Sequence, residues 1–160
     1  MTQKIYLSQQ KFALVDDEDY ENLQQFNWSL HVTAGSDYAK HIIKGTNLTE
    51  LMHRRIMNAI KGQEIDHING NGLDNRKSNL RIVTHQQNLM NQKKTRGISQ
   101  FKGVTWDKSR KKWMARIKLN RKTINLGRFE TEKEASDTYD KASIQYFGKY
   151  AKPNMGVLRE

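Results

Sequence analysis

The sequence predicts a protein of the α+β class, in which antiparallel strands and helices occupy separate stretches of the chain. Three observations predict it. Apolar and polar residues alternate from Phe26 to Val32, which is typical of strands with one buried face. The polar stretch 64–88 divides into a strand, a loop, a second strand and a helix. The stretch 101–147 divides into three short strands and one long helix.

Residues 1–46 are expected to form an antiparallel β region that prepares the stretch after it. The acidic run Asp16–Gln25 interrupts this region and predicts a short helix, because carboxylates in a first turn complement the helix dipole. Tyr38–Ile43 is typical of a further strand. The apolar positions that alternate with polar neighbours are Ile5, Leu7, Phe12, Leu14, Phe26, Trp28, Leu30 and Val32.

An amphipathic helix is predicted over residues 47–62. Either Asn47 or Thr49 would cap its start, and Gly62 would end it. The apolar residues that recur along one face of this helix at a spacing of four are Leu48, Met52, Ile56 and Ile60.

The stretch 64–88 is unusually rich in carboxylate, imidazole and carboxamide side chains. Glu64–Ile68 predicts one strand, Asn79–Val83 predicts the next, and Thr84 is placed to cap a polar helix. Asn69–Gly72 has the turn chemistry of positions that need a positive φ. The side chains that these elements are expected to bring together are those of Asp66, His67, Asn79 and Asn88.

These four residues suit phosphodiester hydrolysis, which needs a base to form hydroxide, a cation beside the phosphate and help for the leaving oxygen. His67 is a natural acceptor of a proton from water near neutral pH. Asp66 and Asn88 offer hard oxygen ligands, which suit Mg²⁺ or Mn²⁺ better than zinc. The alternative is that His67 is a hydrogen-bonded turn residue and that the asparagines cap turns.

Residues 66–81 read D-H-I-N-G-N-G-L-D-N-R-K-S-N-L-R, and Asn88 follows in the predicted helix. This pattern resembles the HNH nucleases of the His-Me-finger class, in particular the phage and bacterial homing-endonuclease branch. The resemblance implies a ββα-metal unit over about residues 64–92, with His67 as general base and Asn79 orienting its ring. It further implies one divalent metal on Asp66 and Asn88, where Asn88 replaces the histidine that ends the motif, and products with 5′-phosphate and 3′-hydroxyl ends.

The net charge of +11 is unevenly distributed. Residues 1–92 contain ten Lys/Arg and ten Asp/Glu, hence 10 − 10 = 0, and residues 93–160 contain eighteen and seven, hence 18 − 7 = +11. All five His lie in the neutral part, and the excess of Lys and Arg lies in the basic part. This division is expected if the first part cuts a polyanion and the second part binds it. The sequence therefore predicts a nuclease domain at 1–92, a basic linker at 93–100 and a DNA-binding domain at 101–155.

The second domain shows three strand patterns and then a helix that Thr131 caps and Gly148 ends. Its motifs are K-G-V at 102–104, W-x-A-x-I at 113–117, L-G-x-F at 126–129, E-x-x-A at 132–135 and T-Y-D-x-A at 138–142. They resemble the DNA-binding domain of plant ethylene-response factors, the APETALA-two class. The resemblance implies a three-stranded sheet packed on one helix. The helix face predicted to pack on the sheet contains Ala135, Tyr139, Ala142 and Tyr146.

Alternation along the strands predicts which residues meet DNA. Trp113, Ala115, Ile117 and Leu119 should face the helix, which leaves their neighbours on the open face. The candidate DNA contacts on that face are Lys102, Thr105, Arg116, Lys118, Thr123 and Asn125. The plant sheet carries more arginine and tryptophan at these positions, so the plant target sequence does not transfer.

Four basic residues of the first domain need separate interpretation. Arg54, Arg55 and Arg76 are candidate phosphate clamps, with ordinary surface ion pairs as the alternative. For His53, packing or a phosphate contact is favoured over catalysis, because the hydrolytic roles already have candidates.

The function predicted from the sequence is a metal-dependent endonuclease on double-stranded DNA, of the homing type, monomeric off DNA and without a small-molecule cofactor. Zero Cys excludes a disulfide framework and a thiolate zinc site. The chain shows no apolar run of membrane-spanning length, so it is expected in the cytoplasm of a phage-infected bacterium. The alternatives are a DNA-binding regulator that retains an inactive nuclease unit and an RNA-binding protein.

Overall fold

The computed structural model describes residues 1–91 and 97–154. The chain divides into two compact units at the bond between Asn88 and Leu89. The fold is mixed α/β, with several small antiparallel sheets and four helices in the described part. None of those helices is long and apolar enough to cross a membrane.

The first unit contains three small sheets. The first sheet pairs β1 (Thr2–Tyr6) with β2 (Phe12–Asp16), the second has the order β3-β4-β5, and the third pairs β6 with β7. The bounds of the remaining elements of this unit are α1 (Asp17–Leu23), β3 (Ser29–Val32), β4 (Asp37–Ile42), β5 (Thr49–Leu51), α2 (Met52–Ile56), β6 (Glu64–His67), β7 (Leu80–Val83) and α3 (His85–Asn91). Helix α3 crosses the boundary between the units.

The predicted strands and the acidic helix of the N-terminal region are present. Helix α1 has Asp17, Glu18 and Asp19 in its first turn, as its sequence predicts. The inward phase of β2, however, was predicted wrongly. Ala13 and Val15 are fully buried, whereas Phe12 is 39% exposed.

The run Phe12–Val15 contains no polar residue that would set the phase of β2. Its phase is instead fixed by backbone pairing with a distant loop. The Leu14 N–H donates to the Leu73 carbonyl at 2.8 Å, and the Asn75 N–H donates to the Leu14 carbonyl at 2.8 Å. The loop after β6 is therefore anchored on β2.

The long helix predicted over residues 47–62 is wrong, because only α2 is helical there. Thr49–Leu51 instead extends the sheet of β4. Asn58 adopts a left-handed conformation with φ 47°, which ends the helix. Leu48 and Ile60, assigned to the apolar face, are 66% and 68% exposed.

The second unit has the predicted three strands and one helix. Strands β8 (Val104–Asp107), β9 (Lys112–Leu119) and β10 (Lys122–Phe129) form an antiparallel sheet in the order β10-β9-β8, and α4 (Glu132–Phe147) packs on it. The Thr131 side chain and that of Glu134 form a capping box at the start of α4. The buried residues that join the sheet to the helix are Val104, Ala115, Ile117, Ala135, Tyr139, Ala142 and Phe147.

One residue of the α4 stripe differs from the prediction. Tyr146 is 40% exposed, and Phe147 takes the buried position instead. The phenyl ring has no hydroxyl to satisfy, so its burial is favoured over that of a tyrosine ring. Of the predicted basic linker, residues 93–96 lie outside the described residues, as does residue 155 at the predicted end of the second domain.

Gly103 supports a test of the second unit. Its φ is +76°, and a Cβ placed there would overlap the Tyr139 ring, which is 3% exposed. Gly103→Ala should lower the free energy of unfolding by at least about 2 kcal/mol, because the backbone strain adds to overpacking. Urea unfolding of the full chain followed by circular dichroism measures this loss.

The control is Gly35→Ala, at a position where a Cβ would meet nothing within 4 Å. This change should alter stability by less than about 0.5 kcal/mol. Equal stabilities of the two variants would contradict the packing of Gly103 against Tyr139.

Candidate functional site

His67 is the last residue of β6 and is 6% exposed. Its Nε2 lies 3.2 Å from Oδ1 of Asn75, a side chain that is itself fully buried. Because a carboxamide oxygen only accepts, this contact places the ring proton on Nε2 and the lone pair on Nδ1. Burial lowers the pKa of His67, opposed by the Asn75 hydrogen bond and then by the charges of Asp66 and Asp74. The ring is therefore neutral near pH 7, the state that a general base requires.

Asn79, predicted to orient His67, uses its amide to organise the loop that follows β6. Its Nδ2 donates to the Asp74 carbonyl at 2.7 Å and to Asn69 Oδ1 at 3.1 Å. Its Oδ1 accepts from the Asn69 N–H at 3.0 Å. The amide oxygen at His67 Nε2 belongs instead to Asn75, a residue of the loop between β6 and β7.

Asp66 is 5% exposed and forms an ion pair with Arg81. The two residues lie directly opposite each other on β6 and β7. Arg81 Nε and Nη2 both donate to Asp66 Oδ2, at 2.8 and 2.6 Å. The guanidinium of Arg81 supplies the positive partner that a buried carboxylate needs.

Asn88 begins the second turn of α3, and Thr84 caps that helix as predicted. The Thr84 Oγ1 accepts from the Gln87 N–H at 3.3 Å, and Gln87 Oε1 accepts from the Thr84 N–H at 2.9 Å. Asn88 Nδ2 donates to Glu64 Oε2 at 2.7 Å. The other oxygen of Glu64 lies 2.7 Å from His85 Nδ1.

Glu64 was absent from the predicted site, although it lies two residues before Asp66 on β6. Residues two apart on a strand share a face, so Glu64 and Asp66 lie on one side of the β6-β7 pair, and the Asn88 amide bonds Glu64. The hydrogen bond from Asn88 is the main reason that the pKa of Glu64 lies below its usual value. The two-residue alternation of side chains along β6 was the sequence signal that could have identified Glu64.

The donor set on this face fits a hard divalent cation. Carboxylate and carboxamide oxygens are the ligands that Mg²⁺ prefers, and Mg²⁺ commonly takes only one or two protein ligands beside water and phosphate. Asp66 and Asn88 are the two side chains that the sequence predicts as its ligands. Within residues 1–91 and 97–154, no group of three or more His, Cys, Asp or Glu is arranged to hold a metal ion.

His53 lies against the catalytic candidate. Its ring centroid is 5.0 Å from that of His67 and 5.4 Å from that of Tyr38. His53 is 6% exposed, and its Nδ1 has no hydrogen-bond partner among the described residues. Burial, and then the charges of His67 and Arg54, lower its pKa to about 3. His53 is therefore a neutral ring that packs on His67, and packing is one of the two roles that the sequence favoured over catalysis.

The three candidate phosphate clamps are each engaged inside the first unit. Arg54 donates to the carbonyls of residues 59, 60 and 63 at 3.3, 2.9 and 2.7 Å. Arg55 bonds Glu50 at 2.8 Å, and its guanidinium carbon lies 4.0 Å from the centroid of the Phe26 ring. Arg76 forms two 2.7 Å bonds to the Asp74 carboxylate. A phosphate contact by any of them would have to compete with these partners.

In the second unit, the open face of the sheet carries most of the predicted DNA contacts. Arg116 lies directly opposite Asn125, and Lys118 lies opposite Thr123. All four side chains are exposed, whereas Ala115 and Ile117 between them are buried. Thr105 shares this face, because it lies opposite Met114, between Lys112 and Arg116 in the alternation of β9.

Arg128 and Lys102 are two further basic residues of the second unit. Arg128 lies opposite Met114 on the same face and pairs with Asp107 at 2.8 Å. Sequence reasoning missed it because a β-bulge between Asn125 and Gly127 shifts the alternation. Lys102, predicted to contact DNA, donates its ammonium to the Met90 carbonyl at 2.6 Å. Burial, and then the charge of Lys152, lower the pKa of Lys102 to about 8.

Comparison with known protein families matches both units. A model described as HNH endonuclease matches residues 51–90, and a model described as AP2 domain matches residues 99–149. Both an HNH endonuclease domain and an AP2 domain are detected in this chain. The HNH match contains β6, β7 and nearly all of α3, and the AP2 match contains β8, β9, β10 and α4.

Individual relatives match in the same two parts. The chain is 36% identical over 90 residues to an uncharacterized HNH endonuclease of Acanthamoeba polyphaga mimivirus, covering 56% of this chain and 46% of that protein. It is 39% identical over 67 residues to the AP2-like ethylene-responsive transcription factor PLT2 of Arabidopsis thaliana, covering 41% of this chain and 12% of that protein. The APETALA2-like protein 2 of Oryza sativa subsp. japonica is 46% identical over 61 residues, covering 37% of this chain and 14% of that protein.

The chain spans less than half the length of these curated relatives. No solved structure matches it.

The buried pair in the HNH unit gives a stability prediction. Arg81→Leu would leave Asp66, which is 5% exposed, as a buried charge without its guanidinium. Loss of one partner of a buried pair costs about 3 to 5 kcal/mol of the free energy of unfolding. Urea unfolding of the full chain measures it.

Arg128→Leu is the matched control, because its pair with Asp107 has a similar 2.8 Å distance but an arginine side chain that is 36% exposed. Its cost should stay below about 1 kcal/mol. If both variants lose a similar free energy of unfolding, burial of Asp66 does not determine the strength of its ion pair with Arg81.

His53 gives a pH prediction. Its pKa is about 3 in the folded chain and ordinarily near 6.5, so the unfolded chain binds a proton that the folded chain excludes. The free energy of unfolding is unaffected by this residue above pH 6.5 and should fall below it by up to about 1.4 kcal/mol per pH unit. The burial that lowers the pKa of His67 acts in the same direction.

Urea unfolding between pH 7 and pH 5 measures this dependence. His53→Leu should reduce the slope by up to about 1.4 kcal/mol per pH unit, because one titrating group is lost. A variant with the slope of the parent chain would show that His53 is protonated equally in the folded and unfolded states.

Proposed function

We propose that this chain is a metal-dependent DNA endonuclease, in which the HNH unit hydrolyses a phosphodiester bond and the AP2 unit holds duplex DNA. The observation that carries the proposal is the contact of the buried, neutral His67 with Asn75, beside the Asp66–Arg81 ion pair, inside the segment that the HNH model matches. A base, its orienting group and a cation ligand are the parts that such hydrolysis needs.

In the proposed reaction, His67 Nδ1 takes a proton from water, and the hydroxide attacks phosphorus in line with the departing 3′ oxygen. The Asn75 oxygen holds Nε2–H, so the ring keeps the tautomer in which Nδ1 is basic. Asp66 and Asn88 would hold one Mg²⁺ or Mn²⁺, which supplies positive charge for the phosphate and the leaving oxygen. The products carry 5′-phosphate and 3′-hydroxyl ends, and β6, β7 and α3 serve as the ββα-metal unit.

Asn79 has a positioning role in this mechanism. Its three hydrogen bonds fix Asn69 and the Asp74 carbonyl. Asp74 immediately precedes Asn75, so the Asn79 amide determines where the Asn75 oxygen lies. The motif asparagine of the second strand therefore acts on His67 through the loop.

The AP2 unit supplies most of the proposed DNA contacts. Arg116 and Lys118 are exposed and face away from the helix, where they can take phosphates or guanine edges. Thr105, Thr123 and Asn125 can reach base edges, with Asn125 suited to adenine. Arg128 joins this face, and the other candidates are Lys102, Arg54, Arg55 and Arg76. The homing role, the phage-infected bacterial host and the monomeric state off DNA stay predictions.

The proposal is tested by measuring cutting and binding separately on one labelled duplex. Single-turnover cleavage with Mg²⁺ and fluorescence anisotropy in EDTA are measured for the parent chain and for His67→Ala, Asp66→Ala and the double change Arg116→Ala with Lys118→Ala. His67→Ala and Asp66→Ala should reduce cleavage at least about a thousandfold, because they remove the base or a cation ligand, and change affinity less than about threefold.

The double change on the AP2 face should have the opposite profile. Loss of two phosphate contacts should weaken binding about tenfold or more and reduce the slope of log affinity against log salt by about 2. Cleavage at saturating protein should remain. If the parent chain binds the duplex and never cuts it, the chain is a DNA-binding regulator; if His67→Ala abolishes binding, the division between the units is wrong.

A further inference from the structure

Glu64 bonds the amide of Asn88 and shares a strand face with Asp66. The Asn88 Nδ2 donates to Glu64 Oε2 at 2.7 Å, and His85 Nδ1 contacts Glu64 Oε1 at 2.7 Å. Both carboxylate oxygens are thus engaged, although the Glu64 side chain is 34% exposed. Two short contacts to α3 hold this side chain against that helix instead of leaving it to solvent.

A carboxamide has two ends of nearly equal size and opposite hydrogen-bonding character. Rotation about its terminal torsion is broad and roughly twofold, so an unsupported asparagine presents either its oxygen or its NH₂ group. Only the oxygen can bind a cation. A carboxylate that accepts from Nδ2 selects one of the two orientations and leaves Oδ1 directed elsewhere.

We propose that Glu64 is a positioning residue for the divalent cation: its carboxylate fixes the Asn88 amide so that Oδ1 is available as a ligand. The inference rests on the proposed function, in which Asn88 holds the cation. His85 steadies Glu64 from the other side and contacts neither Asp66 nor the Asn88 amide in any described hydrogen bond. The HNH unit thus uses an acidic residue two positions before Asp66 to define its second ligand.

The Glu64 carboxylate also brings a negative charge near the cation, and that effect must be separated from orientation. Glu64→Gln removes the charge and retains an oxygen that can accept from Asn88 Nδ2. Glu64→Ala removes both. His85→Ala removes the second partner of Glu64 and keeps the bond to Asn88.

The measurement is Mn²⁺ binding to the full chain without DNA, followed by the electron paramagnetic resonance signal of free Mn²⁺. Glu64→Ala should weaken Mn²⁺ affinity about 10- to 100-fold, the usual loss when a residue that orients a metal ligand is removed. Glu64→Gln should lie between Glu64→Ala and the parent chain, and His85→Ala should stay within about threefold of the parent. Circular dichroism of each variant confirms that it is folded, and Glu64→Gln carries the test if Glu64→Ala is not.

An Asn88→Asp background isolates orientation. A carboxylate at 88 has two equivalent oxygens and needs no orienting partner, and it would be repelled by Glu64 at the same distance. In this background Glu64→Ala should leave Mn²⁺ affinity equal or tighter. If Glu64→Ala weakens binding equally in both backgrounds, Glu64 acts by charge alone and the positioning role is wrong; the same holds if Glu64→Gln binds no better than Glu64→Ala.

Asn88→Ala distinguishes failure of the Glu64 positioning role from failure of the proposed cation site. If it weakens Mn²⁺ binding and Glu64→Ala does not, the positioning role fails and the proposed cation site stands. If neither Asn88→Ala nor Asp66→Ala changes Mn²⁺ binding or DNA cleavage, the cation site of the proposed function itself fails.

Discussion

The hydrogen bonds of the Asn79 amide are the constraint on which the HNH centre depends. The loop between β6 and β7 carries polar side chains that the fold buries, including the fully buried Asn75. Buried polar groups cost free energy unless they find partners. The Asn79 amide, itself 7% exposed, bonds the Asp74 carbonyl at 2.7 Å and Asn69 at 3.0 and 3.1 Å, and so holds the loop in place. Because this loop is also paired to β2 at Leu14, the β1-β2 hairpin supports the placement of His67.

The two units differ in the distribution of their positive charge, as is expected if the first unit cuts DNA and the second unit binds it. In the HNH unit three arginines form internal ion pairs: Arg81 with Asp66, Arg76 with Asp74 and Arg55 with Glu50. The AP2 unit instead exposes Arg116 and Lys118 on one sheet face. With a net charge of 0 over residues 1–92 and +11 over residues 93–160, attraction of a polyanion is concentrated in the second half.

Sequence reasoning succeeded where one physical rule acted locally. Strands β8 to β10, helix α4 with its Thr131 cap, and the Thr84 cap of α3 follow from alternation and capping chemistry. It failed where tertiary pairing overrode the local pattern. The spacing of apolar residues from Leu48 predicted a helix, but the adjacent strand β5 pairs with β4 instead.

The same distinction applies to the candidate site. The motif singled out His67, Asp66 and Asn88 as candidates, but their hydrogen-bond partners Asn75, Arg81 and Glu64 are known only from the folded chain. Asn75 has no distinguishing sequence context beyond its polarity, since Asx residues in loops usually bond their own backbone. Glu64, in contrast, could have been identified from the two-residue period of β6, on which it shares a face with Asp66. Only the folded loop shows that the Asn75 oxygen meets His67.

The central claim, that this chain hydrolyses DNA with a cation and His67, is tested most directly on supercoiled plasmid. The parent chain and His67→Ala are incubated with plasmid in Mg²⁺ and in EDTA, and the products are separated by electrophoresis. The proposed mechanism predicts relaxed or linear plasmid only for the parent chain in Mg²⁺, and the ratio of the two forms distinguishes nicking from double-strand cleavage. Cleavage by His67→Ala at the parent rate, or cleavage by the parent chain in EDTA, would contradict it.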